Sequence, residues 1–123
     1  MNRKDPEKEE NLFNVIIEAI KNKKGKEIVS INLKKIENSV CEYFIICTGD
    51  STTQVGAIVE EIKEKTKEIL NNPVDHIEGL KNSQWVLMDF INIVVHVFLP
   101  DQRSFYHLED LWADGKIQIY EDA

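Results

Sequence analysis

The sequence predicts a single-domain α/β protein, a mixed β-sheet flanked by helices, on three observations. Apolar residues recur at three- and four-residue spacing in two long segments, the mark of helices with one buried face. Short apolar runs bounded by Gly, Pro and Asn stand between and after them, as strands do. The resulting order of helix, strands, helix, strands and helix implies a mixed sheet with helices packed on it. At 123 residues, 42% of them hydrophobic, the chain has the size and composition of one self-folding domain.

Residues 1–10 mix Arg3, Lys4 and Lys8 with Asp5, Glu7, Glu9 and Glu10. They offer almost nothing to bury, so a disordered segment is expected there, ahead of a domain spanning 11–120. From Asn11 on, Leu12, Phe13, Val15, Ile16, Ala19 and Ile20 make one helical face that ends at Lys23-Lys24-Gly25. Cations and glycine both suit a helix C-terminus. Ile28, Val29, Ile31 and Leu33 fit a strand, and Tyr43-Phe44-Ile45-Ile46-Cys47 fits a second, fully buried one stopped by Gly49. Ser51-Thr52-Thr53-Gln54 has the form of a capping box, and Val55, Ile58, Val59, Ile62, Ile69 and Leu70 continue a helical stripe to Asn71-Asn72-Pro73. A short strand near Val74 to Glu78 and a Gly79–Asn82 turn follow, then the runs Trp85–Asp89 and Ile93–Phe98, which form a hairpin. Pro100 and Asp101 open a last helix on which Phe105, Leu108 and Trp112 share a face, and Lys116 to Tyr120 fits a final edge strand.

The net charge of −7 argues against neutralising many phosphates, so little direct nucleic-acid binding is expected and basic proteins are the better partners. The apolar run Ile91–Leu99 is far shorter than the roughly 20 residues that span a bilayer, and the polar start lacks a signal-peptide core. A cytoplasmic protein without membrane contact is expected. Cys41 and Cys47 form no C-x-x-C pair, and Cys47 fits a small buried apolar position.

No catalytic machinery stands out. His76-Ile77-Glu78 matches half of the zinc-deaminase signature, but the P-C-x-x-C half is missing, since Asp101 follows Pro100. His76, His96 and His107 have no i,i+4 partner, so no metal or other cofactor is expected. The Gly49-Asp50-Ser51 turn could hold a phosphate at a helix start, although such a turn needs glycine and a capping serine for backbone reasons alone. Two-metal nucleotide transfer would need paired carboxylates, and Asp89 stands alone. A binding protein is the reading, with a nucleotide-binding or nucleotidyl-transferring enzyme as the alternative.

The hairpin carries the most information. A loop Phe90-Ile91-Asn92-Ile93 sets Asp89 opposite Val94, Leu87 opposite His96 and Trp85 opposite Phe98. Val86, Met88, Val95 and Val97 then share a core face, whereas Trp85, Leu87, Asp89, Val94, His96 and Phe98 share a mixed one. Trp85 and His96 fit core filling, but an aromatic, a carboxylate and an imidazole together resemble the centre of a protein interface. Phe90 and Ile91 at the tip either meet a partner or pack under the last helix.

Tyr43-Phe44-Ile45-Ile46-Cys47-Thr48-Gly49, Gln54-Val55, Glu78-Gly79, Trp85-Val86-Leu87-Met88-Asp89-Phe90, Val94-Val95-His96-Val97-Phe98 and Tyr106–Trp112 closely resemble the Iojap-like ribosomal silencing factors, RsfS, over about residues 11 to 112. The resemblance implies a nucleotidyltransferase-like fold without catalytic carboxylates. It also implies docking on the large ribosomal subunit through ribosomal protein L-fourteen, steric blocking of small-subunit joining, and repression of translation. Carried over by position, the partner-binding region falls on Trp85, Asp89, Phe90 and His96 with Tyr106 nearby; Leu87 joins them from the alternation and Ile91 from its place at the hairpin tip. A homodimer that hides this face when the protein is free is compatible. The family usually has Gly-Asp where this chain has Ile91-Asn92, so the hairpin tip and the family's contacts there are altered, although Asn92 can take a left-handed conformation that keeps the turn.

Overall fold

A computed structural model describes residues 6–37, 39, 41–106 and 116–120. The chain runs α1 (Pro6–Asn22), β1 (Lys26–Asn32), β2 (Tyr43–Thr48), α2 (Thr52–Leu70), β3 (His76–Glu78), β4 (Trp85–Asp89), β5 (Ile93–Phe98), α3 (Pro100–Tyr106) and β6 (Lys116–Ile119). The strands form one six-stranded sheet in the order β3-β4-β5-β2-β1-β6. β2 and β5 pair in parallel at its centre, and every other pair is antiparallel. The expected mixed α/β architecture is therefore present, with β6 as the edge strand anticipated for the C-terminal segment.

α1 and α2 cover one face. Ile16, Ile20, Ile58 and Ile62 are fully buried against Ile45, Val86, Met88, Val95 and Val97. Each such side chain stabilises the fold by roughly 1.5–3 kcal/mol relative to exposure. Ser51 caps α2 by accepting the Gln54 amide at 3.1 Å. The Gln54 side chain does not close the box on Ser51; its Oε1 accepts the Asp50 N–H at 2.7 Å, while its Nε2 donates to the carbonyls of Lys23 and Lys24. One glutamine thus ties the start of α2 to the end of α1.

Two expectations need correction. α1 begins at Pro6, inside the segment expected to be disordered. Proline suits the first helical turn, where its missing N–H is not needed, and Glu7 and Glu9 suit the positive end of the helix dipole. Glu9 is nearly buried and meets Lys34 Nζ at 2.9 Å, which anchors that turn to the loop after β1. Ile69 leaves the α2 stripe and is 62% exposed. Thr66 continues the buried row instead, its hydroxyl donating back to the Ile62 carbonyl at 2.8 Å.

The opposite face of the sheet is also apolar at its centre. Val29, Ile31, Leu33, Cys41, Phe44, Ile46, Val94 and Phe98 form a second buried cluster, with Trp85 and Leu87 packed at its margin. β1 and β2 are therefore buried on both sides, as the unbroken apolar run of β2 requires. Exposure rises across this face toward β3, where His76 and Glu78 are open to solvent.

Candidate partner-binding face

Strand pairing builds the site. Trp85 stands opposite Phe98, Leu87 opposite His96 and Asp89 opposite Val94, the register expected from alternation. Val86, Met88, Val95 and Val97 are fully buried on the helix side. Across β2, Phe44 lies beside Val94 and Ile46 beside His96. Across β3, His76 faces Asp89 and Glu78 faces Leu87.

The side chains make a ring stack with one polar contact inside it. Trp85 stacks on Phe98 with centroids 5.0 Å apart, and His96 meets Phe44 edge-on at 4.9 Å. Trp85 Nε1 donates to His96 Nδ1 at 3.1 Å. An indole N–H only donates, so the imidazole must carry its own proton on Nε2. Burial pushes the His96 imidazole down to about 4, which keeps it neutral at physiological pH. Its Nε2 is buried and meets no hydrogen-bond partner among the described residues.

The hairpin tip is tightly wound. Phe90 N–H donates to Ile93 O at 2.9 Å, and Asn92 N–H donates to Phe90 O at 3.0 Å across Ile91. Ile91 has φ +75°, whereas Asn92, to which the left-handed conformation is open, does not take it. A β-branched residue there is strained. Asp89 Oδ1 holds the turn by accepting the Ile91 N–H at 2.7 Å. Gly79 supports the other end of the hairpin: its φ is +91°, and a Cβ there would strike the Trp85 carbonyl oxygen.

Trp85, Leu87, Asp89, Ile91 and His96 thus come together as expected. Phe44, Leu87, Asp89, Ile91, Val94 and His96 line a groove of about 360 Å³. Phe90 does not belong to it. At 5% exposure it packs in the cluster beneath α1 and α2, since its side chain alternates to the helix side. Tyr106 ends α3, but its side chain lies outside the described residues, as do Leu108 and Trp112. His96 and Phe98, expected on an open mixed face, are buried by the second cluster, and only Trp85, Leu87, Asp89 and Ile91 are substantially accessible. Phe44, which lines the groove, was not among the expected site residues; the fully apolar β2 run, which sets it beside Val94, was the signal for it.

Other candidate chemistry is spoken for. At the Gly49 turn the Asp50 carboxylate pairs with Lys26 at 2.8 Å, and a Cβ on Gly49 would press on Val55. Burial pushes the thiols of Cys41 and Cys47 up to about 12, far from a nucleophile's range. His76 bonds Glu78 at 3.0 Å, and no cluster of His, Cys, Asp or Glu among the described residues has the makings of a metal site. A slightly larger groove of about 400 Å³ opens between α1 and β6. There Lys34 meets Glu9 at 2.9 Å and Ser30 meets Tyr120 at 3.0 Å, so the hairpin groove, with its unmet donor, is the better binding candidate.

A family model described as ribosomal silencing factor during starvation matches residues 6–122. The chain belongs to this family. A ribosomal silencing factor RsfS of Halalkalibacterium halodurans is 37% identical over 106 residues, 86% of this chain and 89% of that protein. A crystal structure of a Chromobacterium violaceum protein superposes with a TM-score of 0.80 at 36% identity, covering 85% of each chain. A mouse protein called mitochondrial assembly of ribosomal large subunit protein 1 is 29% identical over 82% of this chain but 45% of its own length. The ribosomal silencing factor fold therefore frames the hairpin face, and no helix among the described residues is long and apolar enough to cross a membrane.

Proposed function

We propose that this protein docks on the large ribosomal subunit through ribosomal protein L-fourteen, using the face of Trp85, Leu87, Asp89, Ile91 and His96, and sterically keeps the small subunit from joining. The observation that carries this reading is the half-buried Trp85, fixed by stacking on Phe98 and by its bond to His96 at the margin of the groove. A large aromatic already locked in one rotamer loses little entropy on docking, which is what an interface anchor needs. Asp89 supplies a carboxylate for a basic partner, and the net charge of −7 favours encounter with ribosomal protein over naked RNA.

Repression of translation follows from occupancy alone and calls for no chemical step. The test is sedimentation of purified subunits under ionic conditions that favour joining, with and without the protein. Co-migration with large subunits and loss of joined ribosomes is the expected result. Unchanged joining with saturating protein would exclude steric blocking, and absence from the large-subunit fraction would exclude the docking role.

A further inference from the structure

The helix-covered side of the sheet turns polar at the β1–β6 edge. Under the helices it presents Ile45, Val86, Met88, Val95 and Val97, but at this edge it presents Ser30 paired with Gln118 and Asn32 paired with Lys116. These residues line the groove of about 400 Å³ between α1 and β6, on the side of the sheet away from Trp85. Phe13, Tyr43 and Tyr120 line it too, with Phe13 set edge-on to Tyr43 at 5.1 Å and tilted to Tyr120 at 6.3 Å. A cleft of this volume suits one small molecule.

The pairs already made in this groove leave donors over. Ser30 and Tyr120 share one hydrogen bond between two hydroxyls, so among the described residues one O–H stays uncommitted. Asn32 spends its side-chain oxygen on the Lys34 N–H, and its amide hydrogens meet nothing among the described residues. The exposed Gln118 amide and Lys116 ammonium have no described partner either. Aromatic rings beside side-chain amides suit a planar ring with hydrogen-bonding edges, the combination by which nucleobases are held. An unadorned aromatic would leave the amides unmet, and free phosphate would leave the rings unused. Lys34 neutralises Glu9 at 2.9 Å, whereas Glu10 keeps its charge on the α1 side, so Lys116 can balance one phosphate but not three. We infer that this groove binds a nucleoside monophosphate, its base against the aromatic rings and amides and its phosphate at Lys116. Ribosome docking through the hairpin is not required for it.

The test titrates the isotope-labelled protein with each of the common ribonucleoside monophosphates and follows its amide resonances. Expected are saturable shifts of the Asn32 and Gln118 side-chain amides with at least one base, an unmoved Trp85 indole, and a dissociation constant on the order of 10–100 μM. Lys116 and Gln118 are exposed, so their variants keep the fold. Lys116→Glu should weaken the monophosphate about fivefold or more and leave the parent nucleoside within about twofold, whereas Gln118→Ala should weaken both about threefold. The matching triphosphate should bind more weakly than the monophosphate. Absence of saturable shifts at millimolar ligand, shifts confined to the Trp85 face, or equal affinity in both variants would overturn the inference. Equal shifts of the same amides by ribose phosphate, inorganic phosphate, free tyrosine or glucose would overturn the assignment to a nucleotide.

Discussion

The two faces of the sheet use the same strands for different ends. Toward α1 and α2 the strands present Ile45, Val86, Met88, Val95 and Val97, all fully buried and without a polar side-chain atom. On the other face the same strands present Phe44, Trp85, Asp89, His96 and Phe98. There a ring stack encloses one imidazole with an unmet donor, beside a carboxylate committed to the hairpin turn. Stability needs only volume and close packing, which the first face supplies. The polar groups kept at the margin of the second face are costly to bury and are best accounted for by contact with something else.

Substitutions on the two faces should therefore fail differently. Ile45→Ala should lower unfolding free energy by about 4 kcal/mol in urea titrations, because a fully buried side chain is lost and α1 and α2 cannot collapse into the gap. Affinity per folded molecule should be unchanged. A loss under 1 kcal/mol would mean that the helix side is not the main core.

Acid sharpens the contrast, because the titrating imidazole sits on the second face. His96 drops from an ordinary 6.5 to about 4 on burial, so between those values the unfolded chain binds a proton that the folded chain refuses. Stability should fall as pH drops from 6.5 toward 4, by up to about 3 kcal/mol, and His96→Gln should flatten that slope. Glu9 adds to the loss only lower down. Although burial alone would raise its pKa, a hydrogen bond shared with Glu42 and the bond from the Lys34 ammonium hold it below the ordinary carboxylate value, so its contribution disappears as it protonates. An equally steep slope in His96→Gln would place the acid-sensitive group elsewhere.

The smallest effect belongs to the hairpin tip. Ile91→Gly should raise stability by about 1 kcal/mol, because glycine accepts φ +75° without strain, although it adds freedom to the unfolded chain. The same change should weaken docking, since it removes an apolar side chain that is 40% exposed at the groove. Thermal unfolding and co-sedimentation together read both signs. A destabilised glycine variant would show that packing of Ile91 outweighs its strain.

Much of this contrast was legible in the residues. Period-two alternation fixed the β4–β5 register, because sliding by one position would have put Asp89 and His96 among the helices. The capping serine and apolar stripe located α2. Burial on the second face was harder to read, because it depends on β1 and β2 packing beside the hairpin, a long-range arrangement that alternation within β4 and β5 does not encode. For that reason His96 and Phe98 emerged buried; Phe90, by contrast, follows the alternation of Val86 and Met88 to the helix side. The first turn of α1 was hidden by its charge; only its contact with Lys34 reveals what Glu9 does. The switch of positive φ from Asn92 to Ile91 reflects the Asp89 carboxylate, which captures the Ile91 amide and sets the turn one residue earlier.

The most direct test compares Trp85→Ala with Ile69→Ala in co-sedimentation with large subunits. Both remove an accessible apolar side chain, but only Trp85 lies on the hairpin face, while Ile69 sits on the outer side of α2. Expected is a loss of about 2 kcal/mol or more for Trp85→Ala and no change for Ile69→Ala. Equal affinities in the two variants, with both folded, would contradict docking through the hairpin face.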